Sequence, residues 1–459
     1  MQKTLWILTL TLIVLMSSQW GFHVGGTEKA IKRETTETLA DGSTMRVEKI
    51  GVKREGGVNV TPGDALLVIL FLLWAGYVIA KLRVAEIRWP FAAVFVFLAL
   101  VLVSAVHAGH LKPGLREFLQ LGAYFVGGWL VFANCIDTRP RLRAAAELFT
   151  VAVAAVVVIA LIQYKAAVNG NVFNVGGSFG NRNTLGAFLA VSLPFVFALA
   201  LYEERLWQRF ALMLTVAIGA GVVLSGGALL AVAAGVLFIA ALKSQKALIG
   251  VLIALVLAVV VVADQMPPGH TDTVISSVQP YIAENHLDRG RQPEGSEGIV
   301  VAARYRRWHA ATRLIRRHCW RPFLGVGPAR FNEAIGEEYG AVEKPSGDTD
   351  DARAFNINAP EPDTFNMYLV TCAEAGPVAL LALLWLGALL LGRNVREHGA
   401  CRDDFGKALA LGAAGAVVGA AVCAVFSNIL VRGVAMPFIF VALSGILWAK
   451  LPVRPVRRR

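Results

Sequence analysis

ALIGVLIALVLAVVVV (Ala247–Val262) and MYLVTCAEAGPVALLALLWLGALLL (Met367–Leu391) are the apolar runs on which the reading of the fold turns. Each, with its flanks, is long enough to cross a hydrocarbon layer of about 30 Å. Between them lies 263–366, the one long polar segment in the second half of the chain. Such a segment hung between two apolar runs reads as a large loop on one side of a membrane. Inside it, RYRRWHAATRLIRRHCWRPFLGVGPARF (Arg304–Phe331) holds the largest cluster of arginine in the sequence. Guanidinium forks at a membrane surface suit phosphate or carboxylate, whose oxygens they bind in pairs.

Composition agrees with a membrane protein. The chain has 459 residues, 56% of them hydrophobic and only 17% charged, with a mean hydropathy of +0.59. Runs of about twenty apolar residues are the signature of transmembrane helices. Barrel strands would alternate in short segments instead. The net charge of +12 comes with no recognisable nucleic-acid-binding module, so no nucleic-acid partner is expected. Cys135, Cys319, Cys372, Cys401 and Cys423 form no CxxC pair, and they suggest neither a disulfide framework nor a metal site.

The expected fold class is therefore all-α, a polytopic membrane protein of about twelve helices with a large extracytoplasmic loop between helices nine and ten. The apolar runs are Leu5–Met16, Asp64–Ile79, Pro90–Val106, Glu117–Ala133, Ala144–Ile162, Leu185–Tyr202, Phe210–Leu224, Ala228–Leu242, Ala247–Val262, Met367–Leu391, Ala408–Phe426 and Val434–Trp448. Leu5–Met16 ends in MSSQWGF without a small-x-small cleavage pattern, so residues 1–20 are expected to stay as an anchor. Residues 21–61 are polar and near neutral, and are able to form a small hairpin. The chain thus divides into 1–262 with about nine helices, the arginine-rich loop 263–366, and 367–459 with three helices and a basic tail.

Orientation follows from the short loops. Lys81, Arg83 and Arg88, then Arg139, Arg141 and Arg143, then 203–209, Lys243 with Lys246, and 393–407 are the basic ones and alternate along the chain. The positive-inside rule assigns them and both termini to the cytoplasm, which leaves the large loop outside.

Three stretches carry candidate chemistry. GSFGNRNTLG (Gly177–Gly186) offers the amides of Asn181 and Asn183 beside Arg182, ahead of a helix N-terminus. That combination suits an anion and equally suits an ordinary Gly/Asn turn. In the arginine-rich stretch, Arg306, Arg313 and Arg317 fall near one helical face. Tyr305, Trp308, Ala311, Leu314 and Ile315 form an apolar strip, with Trp308 and Trp320 at headgroup depth, which reads as a helix lying on the outer leaflet beside membrane lipids. PFLGVGPARF (Pro322–Phe331) reads as a Gly/Pro turn leading into another helix. In APEPDTFNMYLVTCAEAGPV (Ala359–Val378), Glu374 lies inside an apolar run, where a carboxylate is costly and a functional candidate. Glu361 and Asp363 lie just outside it and are able to accept a proton, while Asp363 or Thr364 suits a helix cap.

GSFGNRN, then Arg304 and Trp308 in an R-x-x-x-W spacing with GVGPARF, then FNMYL and AEAG resemble the O-antigen ligase and Wzy-type polymerase superfamily of bacterial membrane glycosyltransferases. The order of the motifs and the large outward loop before the last three helices agree with that resemblance. It implies glycan transfer without a metal or other cofactor at the outer face of the inner membrane. The donor would be a saccharide on polyprenyl diphosphate, and the acceptor a glycan, lipid A core or protein, by ligase or polymerase action. Arg182 and Arg304 would hold the diphosphate, with Asn181, Asn183, Arg307, Trp308, Asn366 and Glu374 as further substrate contacts. The family places a histidine before the asparagine of its third motif. Here that position is Phe365, which cannot take a proton, so Asp363 is the expected catalytic acceptor, with Glu361 and His309 as the other candidates. A second departure is LSGGALL (Leu224–Leu230), where relatives carry a Ser-Arg pair. A transporter or flippase is the reading from another class, and an inactive member of the family is the third.

Overall fold

The computed structural model describes residues 1–18, the strands between 22 and 60, and 61–81, 86–109, 111–167, 175–179, 181–223, 226–265, 308–318, 323–331, 334, 366–429 and 434–451. All twelve apolar runs carry helices. Seven are long and apolar enough to cross a membrane: Pro62–Ala80, Leu111–Cys135, Arg139–Ala166, Arg182–Tyr202, Gly226–Lys243, Pro377–Ala400 and Asp404–Phe426. Five shorter apolar helices accompany them: Gln2–Leu15, Ala92–His107, Leu206–Gly221, Gln245–Leu257 and Ala435–Lys450. The protein is a multi-pass, helical membrane protein. Large apolar side chains such as Leu72, Phe210, Leu252 and Leu381 point outward, as a lipid-facing surface requires.

In chain order the helices are α1 (Gln2–Leu15), α2 (Pro62–Ala80), α3 (Ala92–His107), α4 (Leu111–Gly122) and α5 (Trp129–Cys135), the last two joined through a π-helical turn, Ala123–Gly128. Then come α6 (Arg139–Ala167), α7 (Arg182–Tyr202), α8 (Leu206–Gly221), α9 (Gly226–Lys243) and α10 (Gln245–Gln265). The helix at 308–318 is α11. The chain closes with α12 (Met367–Ala375), α13 (Pro377–Ala400), α14 (Asp404–Phe426) and α15 (Ala435–Lys450).

Two features add detail to the all-α, multi-pass reading. The polar segment after α1 holds strands β1 (Phe22–Val24), β2 (Thr27–Thr38), β3 (Thr44–Glu55) and β4 (Val58–Val60). β2 pairs antiparallel with β3, from Thr27 opposite Glu55 to Thr38 opposite Thr44, and β1 pairs with β4. This is the hairpin that the segment was able to form, longer than its description as small. The run Met367–Leu391 is also not one helix. It breaks at Gly376, whose φ of +94° an L side chain rarely adopts, and Pro377 opens α13, where its missing N–H costs nothing.

α7 is almost wholly buried and forms the axis of the bundle. It packs on α14, α9, α8 and α15. Phe149 of α6 meets Phe188 and Phe195 of α7 and Phe440 of α15 edge to face. α14 approaches its neighbours through small residues, as helices in lipid do where dispersion replaces the hydrophobic effect. A Cβ on Gly419 would lie 2.3 Å from the carbonyl oxygen of Ala190, and one on Gly415 would lie 2.4 Å from Ile239. Gly419→Val should accordingly lower stability by roughly 1–3 kcal/mol or prevent assembly. Thermal unfolding in detergent, compared with Gly387→Val at an open position, measures it.

The basic loops gather at one end of the bundle. Arg139 donates to the carbonyl of Leu451 and lies 3.7 Å from Asp403, whose other partners include the Trp448 indole. Arg141 lies over Trp6 and Arg143 over Phe405. Arg88 donates to the carbonyl of Ala133. The starts of α1, α6 and α14 and the ends of α5 and α15 therefore share that end, as the alternation of charged loops requires.

Candidate functional site

The opposite end collects the motif residues. α7 runs antiparallel to α14, with Ala190 beside Gly419 and Ala198 beside Gly412. Its N-terminus thus lies at the end where α14 finishes. Tyr368 of α12 donates to the carbonyl of Ala421 at 2.7 Å, which brings α12 to the same end.

Asn181 caps α7, its Oδ1 accepting from the amide of Asn183 at 2.8 Å. Arg182 is the first helical residue and, like Asn183, half-buried. The turn before them is fastened from two sides. Gln163, in the last turns of α6, accepts from the Gly177 amide at 2.8 Å and donates to the Gly177 carbonyl at 3.0 Å. Ser178 donates to the carbonyl of Ser17 at 2.7 Å. Neither Gln163 nor Ser17 stood out in the sequence. The available signal was a lone amide in the last turn of an apolar run, where an unsatisfied polar group is expensive.

The arginine-rich stretch forms the helix read from its periodicity, with a different partner. Ala310, Ala311 and Leu314 of α11 are buried against Phe331, Ala334 and Ala373, with Ile315 packed beside them. Ala311 and Leu314 of the apolar strip are thus covered by the chain itself, while Tyr305, Arg306 and Trp320 lie outside the described residues. Trp308 is half-buried, and Arg313, Arg316 and Arg317 stay on the exposed side of the helix. His309 is held below its ordinary value by partial burial and then by the charges of Arg313 and Arg316. It is therefore neutral near neutral pH and able to accept a proton.

The closest packing at this end joins GVGPARF to the break between α12 and α13. The Val326 amide donates to the carbonyl of Ala373 at 2.9 Å, and the Gly327 amide to that of Glu374 at 3.0 Å. Ser104 of α3 donates to the same Glu374 carbonyl at 2.6 Å. The last carbonyls of α12, which have no partner in their own helix, are satisfied in this way. The backbones touch: a Cβ on Gly325 would sit 2.2 Å from the Glu374 carbonyl, and one on Gly376 would sit 2.2 Å from the Phe323 carbonyl. Phe323 and Ala329 hold positive φ angles of 70° and 61°, local strain that only a firmly held loop sustains.

Glu374 itself is 3% exposed. Its Oε1 accepts from the amide of Phe331 at 3.0 Å, with the amides of Ala329 and Arg330 beside it. The structure thus turns this carboxylate toward the loop backbone. Asn366 is 7% exposed and caps α12, accepting from Leu369 at 3.0 Å, the cap expected of Asp363 or Thr364. Arg304, Arg307, Glu361, Asp363 and Phe365 lie outside the described residues.

A family model described as O-antigen ligase matches residues 211–384, from within α8 to within α13. The match takes in the large loop, GVGPARF, FNMYL and AEAG, and stops short of GSFGNRN. No curated protein matches the chain.

Proposed function

We propose that this chain, which matches an O-antigen ligase family model over residues 211–384, is a glycosyltransferase of the bacterial inner membrane. It moves a saccharide from polyprenyl diphosphate to an acceptor hydroxyl at the outer face. The observation that carries the reading is the joint placement of the matched motifs. GVGPARF is clasped to the α12–α13 break, at the end of the bundle where Arg182 opens α7 and away from the end that gathers the basic loops.

In this reaction the acceptor oxygen attacks the anomeric carbon. The bond from that carbon to the diphosphate breaks, and the diphosphate leaves with the electron pair. Arg182 and Arg304 hold the diphosphate and stabilise the charge that develops on it. Fixed cations are worth most in such a site because they need no reorganisation as the charge appears. They supply the positive charge that the leaving group needs, so transfer proceeds without a metal. Asn181, Asn183, Arg307 and Trp308 flank these arginines on the donor side, and Asn366 holds the start of α12. Asp363 takes the acceptor proton, standing in for the histidine that Phe365 replaces. The acceptor is a glycan, lipid A core or protein.

Asp363→Asn tests the assignment of the base. With purified protein and a polyprenyl-diphosphate saccharide, the rate should fall by about two orders of magnitude or more while donor binding persists. An unchanged rate would move the proton to His309 or Glu361.

A further inference from the structure

We propose that Glu374 is a positioning residue, whose buried carboxylate anchors the 323–331 loop and through it the arginine-bearing helix α11. The proposal rests on the glycosyltransferase reading for its consequence and on geometry for the anchor itself.

A carboxylate buried among apolar helices is stable only when its oxygens are satisfied. Glu374 is satisfied by main-chain amides of the loop, at Phe331 and beside Ala329 and Arg330. These amides open a helical turn, since Ala334 donates back to the carbonyl of Arg330 at 2.9 Å. The carboxyl oxygen therefore accepts from this turn of main chain from across the molecule. The same residue also receives Gly327 and Ser104 on its main-chain carbonyl. One side chain and one carbonyl thereby join α3, α12 and the loop.

The loop in turn carries α11. Phe331 and Ala334, held by this anchor, form with Ala373 the surface on which Ala310, Ala311 and Leu314 are buried. Arg304 precedes Trp308 of α11 by four residues in the sequence, and the transfer assay below tests whether the anchor acts on it. Displacing catalytic cations by about 1 Å is enough to cost two orders of magnitude in rate. Glu117 of α4 interacts with the same carboxyl group, so the loop amides and one neighbouring side chain share it.

The experiment pairs hydrogen exchange with transfer, using full-length protein in detergent. Glu374→Ala should raise deuterium uptake across 326–334 and leave the 182–202 peptide of α7 unchanged, which shows that the bundle is intact. Transfer should fall about tenfold or more, the range for removing a charged hydrogen-bond partner. Glu374→Gln keeps one acceptor oxygen for the Phe331 amide and should restore a large part of both properties. Unchanged uptake at 326–334 in Glu374→Ala would overturn the anchor. Raised uptake with wild-type transfer would overturn its role in the reaction. Should the wild-type protein transfer no glycan, the glycosyltransferase reading fails and the uptake measurement still decides the anchor.

Discussion

Arg182→Ala and Arg304→Ala are each expected to lower glycan transfer by about two to three orders of magnitude, the cost of removing one preorganised charge-stabilising group. Neither change should unfold the protein. The cap that starts α7 is made by the Asn181 side chain, so the helix does not depend on the Arg182 guanidinium for its first turn. The assay is transfer from a polyprenyl-diphosphate saccharide, with thermal unfolding measured on the same samples. Lysine in place of either arginine should recover only part of the loss, because a point charge cannot grip two phosphate oxygens as a planar fork does. Wild-type rates in both alanine variants would remove the diphosphate from these residues.

Gly325→Ala is expected to be nearly as damaging, by a different route. The added carbon would lie 2.2 Å from the carbonyl of Glu374 and 2.3 Å from that of Ala373, both main-chain atoms held in α12. No rotamer change relieves that overlap, so either the loop lifts off or α12 shifts. Overpacking of this kind costs roughly 1–3 kcal/mol. The hydrogen bonds from Val326 and Gly327 would go with it, because both lie in the segment that must move. Transfer should fall about tenfold or more, and exchange at 326–334 should rise as it does for Glu374→Ala. Gly392→Ala, at a position with open space around it, serves as the silent control.

The membrane architecture was legible because the bilayer constrains sequence so strongly. Twelve apolar runs became helices at nearly the expected places, and the basic loops assigned to one side met at one end. What the runs did not show was the break at Gly376. The residues from Met367 to Leu391 are apolar apart from Thr371 and Glu374, and only the Gly-Pro pair marks where one helix stops and the next begins. The strand pairing of 27–38 with 44–55 was weakly legible for the opposite reason, since its polar residues carry little hydrophobic alternation.

The candidate site was legible in part. Arg182, Asn366 and Glu374 were singled out by residue type and position, and the structure gives two of the three a structural contact. Asn366 caps α12, and Glu374 faces the backbone of the loop. Periodicity marked the apolar strip of α11 without saying what covers it, since a strip of Ala and Leu suits a lipid surface and a protein groove equally. The clasp between GVGPARF and AEAGP could not be read at all from spacing, because it is main chain against main chain across about fifty residues of sequence. Its only sequence trace is the set of glycines at 325, 327 and 376.

Arg182 and Arg304 are proposed to drive glycan transfer without a metal. The most direct measurement is transfer by purified protein from a polyprenyl-diphosphate saccharide in the presence of EDTA, comparing wild type with Arg304→Ala. Transfer that survives chelation and is lost with the arginine is the expected result. Transfer that requires a divalent cation, or that persists in Arg304→Ala, would contradict the account.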